Sequence, residues 1–183
     1  MIDELLGEAE AKMDQAVEHV QNEFSSIRTG RANASILNRV MVDYYGTATP
    51  LQQLASFSVP EAQLLVVQPY DKSAMGEIER AIQAAGLGLN PANDGNVIRL
   101  AFPALNEERR QELIKVVRQM AEDGRIAVRN VRRHSKDDIE ALEGEVSEDD
   151  VRRGEDRLQD ITDKHVARID ELLAHKEAEL LEV

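Results

Sequence analysis

One run of basic side chains recurs at helical spacing in the second half of the chain, and it is the strongest candidate for binding chemistry. Its members are separated by 7, 4, 3 and 4 residues: Arg118, Arg125, Arg129, Arg132 and Lys136. At about 100° per residue they fall within an arc of roughly 60° on one helix. We call this set the basic stripe, and Arg133 and Lys115 flank it. Because arginine presents a planar fork of donors that suits phosphate oxygens, the stripe predicts a surface for a nucleic-acid backbone.

The charge of the whole chain makes this stripe stand out. The 183 residues carry 22 Lys and Arg against 35 Asp and Glu, a formal net charge of −13, which excludes a globally basic coat. Residues 99–136 nevertheless hold ten of the 22 basic side chains, whereas residues 137–183 carry 17 acidic and six basic ones. The sequence favours a local phosphate-binding patch, and a solvated face paired with acidic helices is the alternative.

The stripe also predicts how binding responds to salt and what it recognises. About five phosphate contacts would lower the affinity by roughly 10²–10³ between 50 and 200 mM salt. No aromatic residue is interleaved with the arginines, so recognition of backbone and shape is expected rather than base stacking. One acidic residue lies within the stripe, Glu122, and it is spaced to pair with Arg118 and Arg125.

No catalytic or metal-binding pattern accompanies the stripe. The chain has no cysteine, which excludes disulfides, thiol nucleophiles and thiolate metal sites. It has no phosphate-binding loop sequence, and its four histidines lack ligand spacing: His19, His134, His165 and His175. Each histidine is interpreted as a surface residue or a hydrogen-bonded core residue. No nucleophile has an evident base partner, so we expect no enzyme activity, no cofactor and no metal.

The prolines divide the chain into the elements that must position the stripe. All five fall between residues 31 and 105, whereas residues 1–30 and 106–183 have none. Because proline breaks helix interiors, only these two flanks can hold long helices. We therefore predict a discontinuous helical domain, 1–30 with 106–183, and an inserted β/α/β domain over 31–105, with a short helix from Ala74 to Ala85. Four strands are predicted in the insert: 39–45, 54–59, 64–67 and 97–100.

Three long helices are predicted in the flanks. The first runs from Ile2 to about Arg28, where apolar residues recur every seven positions. The second begins after the capping residue Asn106 and stops near Gly144, and the third begins at Ser147. Since the last two are joined by a short turn, they must be antiparallel neighbours. The fold class is α+β, a long antiparallel three-helix bundle with an inserted small β/α/β domain.

The apolar face of the second helix is predicted from its own periodicity. It comprises Leu113, Val117, Met120, Ala127, Val131, Ile139 and Leu142. On the helical wheel this face lies well over 90° from the basic stripe, so the stripe is expected to point away from the bundle core.

Several short motifs follow one another in a specific order. They include Ile27-Arg28-Thr29-Gly30-Arg31-Ala32, Tyr44-Tyr45-Gly46-Thr47, Leu87-Gly88-Leu89-Asn90-Pro91, Glu107-Glu108-Arg109-Arg110, Val128-Arg129-Asn130-Val131-Arg132-Arg133 and Ser147-Glu148-Asp149-Asp150. Their order and spacing resemble those of the bacterial ribosome recycling factor family over essentially the whole chain. The resemblance implies an L-shaped molecule of tRNA-like outline that binds the post-termination ribosome, chiefly its large-subunit RNA. Elongation factor G would then use GTP to push on it and split the subunits.

The resemblance also implies roles for individual residues. Arg110, Arg129 and Arg132 resemble the family's ribosomal RNA contacts, and Arg28 and Arg31 are further candidates. The hinge between the two bodies would comprise Gly30, Arg31, Pro103, Ala104 and Leu105.

Three positions depart from the family pattern. His134 stands where the family usually has aspartate, and Ala101 and Ala104 replace prolines. Fewer fixed φ angles would leave the connector freer.

A function of another class stays open from the residues alone: a helical adaptor or chaperone-like protein that binds other proteins through its acidic bundle faces. Ribosome co-sedimentation would separate the two readings. No apolar run reaches the length that crosses a bilayer and no signal peptide is visible, so a cytoplasmic monomer is expected.

Overall fold

A computed structural model describes residues 1–182, which form two compact units. Residues 1–28 and 107–182 make up the first unit, and residues 29–106 make up the second. The structure thus divides the chain at 28/29 and 106/107 rather than at 30/31 and 105/106. Each unit buries its own hydrophobic core.

The first unit is a bundle of three long helices, which confirms the predicted fold class. They are α1 (Ile2–Ser26), α4 (Glu107–Glu140) and α5 (Glu148–Leu181), of 25, 34 and 34 residues. Helix α1 ends two residues before Arg28 because Ile27 takes an extended backbone, with ψ at 120°. Helix α4 ends four residues before Gly144, whose φ of +93° belongs to the turn that follows.

Ion pairs between the helices define their directions. Asp3 of α1 pairs with Arg157 of α5, and Asp14 of α1 pairs with Arg168 of α5. Both pairs advance along the chain together, so α1 runs parallel to α5. Helix α4 reaches α5 through the short connection 141–147 and is antiparallel to it. Helix α4 is therefore antiparallel to both of its neighbours.

Ser147 caps α5, as predicted. Its Oγ accepts a hydrogen bond from the Asp150 backbone N–H at 3.2 Å and donates one to Asp150 Oδ2 at 2.6 Å. The Ser147 hydrogen bond, followed by one from Arg153, lowers the pKa of Asp150. An ionised carboxylate in the first turn also suits the positive end of the helix dipole, so this cap stabilises the start of α5 in two ways.

His165 lies in the bundle core, where it joins α5 to α1. Its side chain is 4% exposed, with Nδ1 2.7 Å from the Ile161 carbonyl oxygen and Nε2 3.0 Å from Asp14 Oδ1. Hydrogen bonds from Arg168 and then His165 lower the pKa of Asp14. The histidine is a hydrogen-bonded core residue, one of the two interpretations that the sequence allowed.

The second unit combines a hairpin, a sheet and one helix of ten residues. The hairpin strands are β1 (Met41–Tyr44) and β2 (Thr47–Pro50), followed by the short helix α2 (Leu51–Leu54). The sheet has the order β3 (Ala55–Glu61), β4 (Leu64–Pro69), β6 (Ile98–Ala101) and β5 (Pro91–Asn93), with all neighbours antiparallel. Helix α3 (Met75–Ala84) buries Ile78 and Ile82 in the same core as Leu65 and Leu100 of the sheet.

Strands β2 and β5 were not predicted, and each is short and has a proline at one end. Pro50 ends β2, and Pro91 begins β5 at the edge of the sheet. Proline has no backbone N–H, so strands tolerate it at edges and ends, where a ladder hydrogen bond is not needed.

Candidate nucleic-acid interface

The basic stripe lies along α4, whose buried face includes the predicted Leu113, Val117 and Ile139 but is shifted around the helix toward the stripe. Gly124, Val128 and Ser135 are buried, whereas Ala127 is exposed. A Cβ added at Gly124 would lie 2.3 Å from Val20 Cγ2 of α1, so the two backbones approach closely here. The buried face therefore lies only about 80° from the stripe. The prediction that the stripe points away from the core is wrong.

Arg125 is a stripe residue that lies close to the buried face of α4. Its side chain is 18% exposed, and its Nε and Nη1 donate to Glu122 Oε2 at 2.9 Å and to Asp170 Oδ1 at 2.7 Å. Burial by itself lowers the pKa of Arg125, but the hydrogen bonds to the two carboxylates outweigh burial and raise it. Since Asp170 belongs to α5, Arg125 links two helices of the bundle.

Two further stripe residues make the same kind of link. Arg118 Nε donates to Glu177 Oε1 of α5 at 2.5 Å. Lys136 Nζ lies 2.9 Å from Glu140 and 3.3 Å from Glu155 of α5, and these carboxylates raise the pKa of Lys136. We call Arg118, Arg125 and Lys136 the interhelical clamp. These three residues make the pairing with an acidic helix that the alternative interpretation describes.

The charges of the other arginines of this stretch are paired with far fewer carboxylates. Arg129 is 51% exposed, and its Nη1 donates to Glu122 Oε1 at 3.1 Å. Arg132 meets the neutral side chain of Gln159 at 3.4 Å, and Arg133 meets the neutral amide three residues before it at 3.5 Å. Within residues 1–182, only Arg129 of the three has a carboxylate at ion-pair distance. We call Arg129, Arg132 and Arg133 the 129–133 arginines.

Glu122 pairs differently from the prediction. It bridges Arg125 and Arg129, rather than Arg118 and Arg125, and hydrogen bonds from the two arginines lower its pKa. Arg118 turns to Glu177 instead. The α5 partners of the stripe are 45 and 59 residues away along the chain for Arg125 and Arg118, so helix periodicity carries no signal for them.

The arginines that the resemblance added lie in both units. Arg110 occupies the first turn of α4, where it pairs with Glu107 at 3.4 Å and its side chain is 22% exposed. Arg28 is exposed just after the end of α1 in the first unit. Arg31 is exposed in the second unit.

The residues expected at the hinge meet within the second unit. Gly30 has a φ of +74°, and a Cβ there would lie 3.3 Å from both Leu105 Cγ and the Pro103 carbonyl oxygen. Glycine tolerates this backbone conformation without strain, so the close approach depends on it. The structure thus brings Gly30 beside Pro103 and Leu105, while Ala104 and Arg31 are exposed nearby in the sequence.

Residues 1–182 meet neither the requirements of a metal site nor those of a membrane-spanning helix. No group of three or more His, Cys, Asp or Glu side chains in residues 1–182 could hold a metal ion. In the same residues no helix is both long enough and apolar enough to span a bilayer.

Comparison with known proteins identifies the family. The family model described as ribosome recycling factor matches residues 20–181. The chain belongs to this family. A ribosome-recycling factor of Acidothermus cellulolyticus is 55% identical over 185 residues and covers 100% of both chains. One from Bacillus cereus is 54% identical over 182 residues and covers 98% of both chains.

Two solved structures of ribosome recycling factors are similar over the whole chain. One is a solution structure, 43% identical with a TM-score of 0.76, covering 100% of this chain and 98% of the other. The second, 42% identical with a TM-score of 0.64, covers 99% of each chain. It belongs to models of the T. thermophilus ribosome recycling factor and E. coli elongation factor G bound to the E. coli post-termination complex. The family resemblance found in the motifs is confirmed.

Proposed function

We propose that this protein binds the post-termination ribosome through phosphates of large-subunit ribosomal RNA and, with elongation factor G and GTP, splits it into subunits. The recycling factor placed with elongation factor G on a post-termination complex supports this proposal, since it is 42% identical over 99% of the chain. The observation that carries the RNA contact is the group of 129–133 arginines on the 34-residue helix α4, where Arg129 bonds to one carboxylate and Arg132 and Arg133 meet only neutral amides among residues 1–182. Guanidinium groups with free N–H donors are suited to phosphate oxygens.

The two groups of basic residues on α4 have different tasks in this mechanism. The interhelical clamp ties α4 to α5, so a force applied to the bundle is transmitted by packed helices rather than by one helix alone. The 129–133 arginines, with Arg110, Arg28 and Arg31 as further contacts, anchor the protein on RNA. Motion of the second unit about Gly30 and Pro103–Leu105 would then respond to elongation factor G.

The protein does no chemistry of its own in this proposal. The energy comes from GTP, which elongation factor G hydrolyses, and no cofactor or metal takes part. Because its partners are the ribosome and a GTPase of translation, we propose that it acts in the cytoplasm.

Replacement of both Arg129 and Arg132 with Ala tests the RNA contact. We expect ribosome affinity to fall about tenfold or more, because two charge-assisted hydrogen bonds are lost, while helical circular dichroism stays unchanged. Arg152→Ala is the matched control, since Arg152 is exposed on α5 and has no described partner. Unchanged affinity of the double variant would refute the anchoring role.

A subunit-splitting assay tests the function as a whole. Light scattering should show separation of post-termination ribosomes only when this protein, elongation factor G and GTP are all present. The protein alone should show no GTP turnover. If it fails to sediment with ribosomes even at 50 mM salt, the adaptor interpretation replaces the present one.

A further inference from the structure

A continuous chain of charged groups runs from α5 across α4 to Arg129. Asp170 Oδ1 accepts from Arg125 Nη1 at 2.7 Å, and Arg125 Nε donates to Glu122 Oε2 at 2.9 Å. The other oxygen, Glu122 Oε1, accepts from Arg129 Nη1 at 3.1 Å. Arg125 is largely buried and anchored on a second helix, so it fixes the carboxylate to which Arg129 is bound.

The contact with Glu122 limits where Arg129 can point. The two residues are seven positions apart, about 10.5 Å along the helix axis. Helical side chains lean toward the N-terminus, so Arg129 reaches Glu122 only by extending back along α4. The contact occupies one guanidinium nitrogen, and Nε and Nη2 have no partner among residues 1–182. These two nitrogens form a fork that matches two phosphate oxygens.

We propose that Glu122 is a positioning residue for RNA binding, because it holds the Arg129 guanidinium with its free fork available to a phosphate. The inference rests on the proposed ribosomal RNA contact of Arg129. By this proposal, a negative charge on a phosphate-binding face strengthens RNA binding.

The negative charge of Glu122 has two opposing effects on RNA binding, repulsion of the phosphate and ordering of Arg129, and their sizes can be compared. Repulsion of a phosphate about 7 Å away by an exposed carboxylate, screened by salt, weakens binding by less than about twofold. Ordering a long arginine side chain before binding strengthens it by about two- to tenfold. Positioning therefore outweighs repulsion, and the two effects predict opposite signs when the charge is removed.

Glu122→Gln tests whether removal of the Glu122 charge weakens or strengthens ribosome binding. Glutamine keeps the length of the side chain but offers one acceptor oxygen and turns N–H groups toward the second guanidinium. Asp123→Asn is the matched control, because it removes one charge at the next residue, about 100° around the helix, where Asp123 accepts from Gln119. Ribosome affinity should fall about two- to tenfold for Glu122→Gln and change less than about twofold for Asp123→Asn. Tighter binding of Glu122→Gln would overturn the proposal.

Nuclear magnetic resonance of the free protein provides a readout that does not need the ribosome. Relaxation of the Arg129 ¹⁵Nε–¹H group should show faster and wider motion in Glu122→Gln, and no change in Asp123→Asn. Equal mobility of Arg129 in all three proteins would overturn the positioning role.

A double-mutant cycle separates this inference from the function on which it rests. In an Arg129→Ala background, Glu122→Gln should cause no further loss of ribosome affinity. A full additional loss there would mean that Glu122 acts through bundle stability, which contradicts the proposal. If Arg129→Ala alone leaves affinity unchanged, the RNA contact itself is refuted and the positioning role for RNA binding falls with it.

Discussion

Arg125 and Arg132 are two turns apart on α4, yet their surroundings differ in a way that decides their roles. Arg125 is enclosed and bonded to two carboxylates, whereas Arg132 meets one neutral amide at 3.4 Å. Removing a guanidinium that pairs with carboxylates leaves those charges uncompensated, whereas removing one that meets only a neutral amide leaves no unpaired charge. The same residue type thus contributes to stability at one position and to binding at the other.

Alanine substitutions at the two positions should separate stability from binding. We expect Arg125→Ala to lower the free energy of unfolding by about 1–3 kcal/mol, because two charged hydrogen bonds are lost, one within α4 to Glu122 and one to Asp170 of α5. Arg132→Ala should change it by less than about 0.5 kcal/mol. Urea unfolding followed by circular dichroism measures both. Equal losses would contradict the division between the clamp and the 129–133 arginines.

Asp94 provides a pH-dependent contribution in the second unit. Backbone hydrogen bonds from Val97 and Asn96, and then Arg99, lower its pKa from 3.8 to about 2. A pKa that is lower in the folded state means that the stabilisation is present above pH 4 and is lost as the pH falls toward 2. Asp94→Ala should therefore lower the melting temperature at pH 7, and the difference should shrink below pH 4.

The tyrosines make this effect measurable in the second unit alone. All three lie there, at positions 44, 45 and 70, and the chain has no tryptophan. Near-ultraviolet circular dichroism of tyrosine therefore reports unfolding of this unit. Glu61→Gln, which removes one carboxylate without a described partner from the same unit, is the control. A difference for Asp94→Ala that persists undiminished at pH 2 would contradict the assignment.

Helix α4 shows how a single small residue sets the orientation of a whole element. At Gly124 the α1 side chain of Val20 occupies the space that a Cβ would need, and Ile169 of α5 closes the other side at 3.3 Å. The absence of a side chain at this position lets α4 approach both neighbours closely. That approach turns the basic stripe toward α5 and brings Arg118, Arg125 and Lys136 into reach of its carboxylates.

Two glycine-to-alanine substitutions in helix interiors should have opposite effects. Gly124→Ala must push α1 and α4 apart, and we expect it to destabilise the protein by about 1–3 kcal/mol. Gly7→Ala in α1 meets nothing within 4 Å and should stabilise it by about 0.5–1 kcal/mol through helix propensity. Chemical unfolding of both variants measures the difference. Stabilisation by Gly124→Ala would show that the helices do not depend on the close approach.

The elements that depend on local signals were largely predicted from the sequence. The long helices and the Ser147 cap follow from the absence of proline in the flanks and from side-chain oxygens placed to accept backbone N–H groups. Strands β2 and β5 were not predicted, because segments of three or four residues carry little local signal and are fixed by pairing with β1 and β6.

On the scale of the whole molecule, the distribution of charge restricts how the protein can approach RNA. The formal net charge is −13, and residues 137–183 carry 17 acidic side chains. An RNA surface repels such a molecule in most orientations and attracts it where uncompensated arginines concentrate. The 129–133 arginines therefore affect both the orientation of approach and the contact itself.

The salt dependence of ribosome binding tests which cations take part. Replacing all three of the 129–133 arginines with Ala should reduce the slope of log affinity against log salt by about 2–3, because Arg132 and Arg133 have no carboxylate partner among residues 1–182 and Glu122 neutralises Arg129 only in part. Arg118→Ala should leave the slope nearly unchanged, since Glu177 already neutralises that cation. Sedimentation at several salt concentrations measures both slopes. A similar reduction for Arg118→Ala would mean that the clamp opens on the ribosome.

The sequence by itself determined the family, the fold class and the helix that carries the basic residues. These depend on local order along the chain: motif sequence, proline positions and the 3.6-residue period. Only the tertiary structure decided which arginines bind carboxylates and which keep free donors. The partners of Arg125 and Arg118 on α5 lie 45 and 59 residues away, and the close approach at Gly124 decides which of them come within reach. Helix periodicity places a side chain on a face, but only packing decides what that face meets.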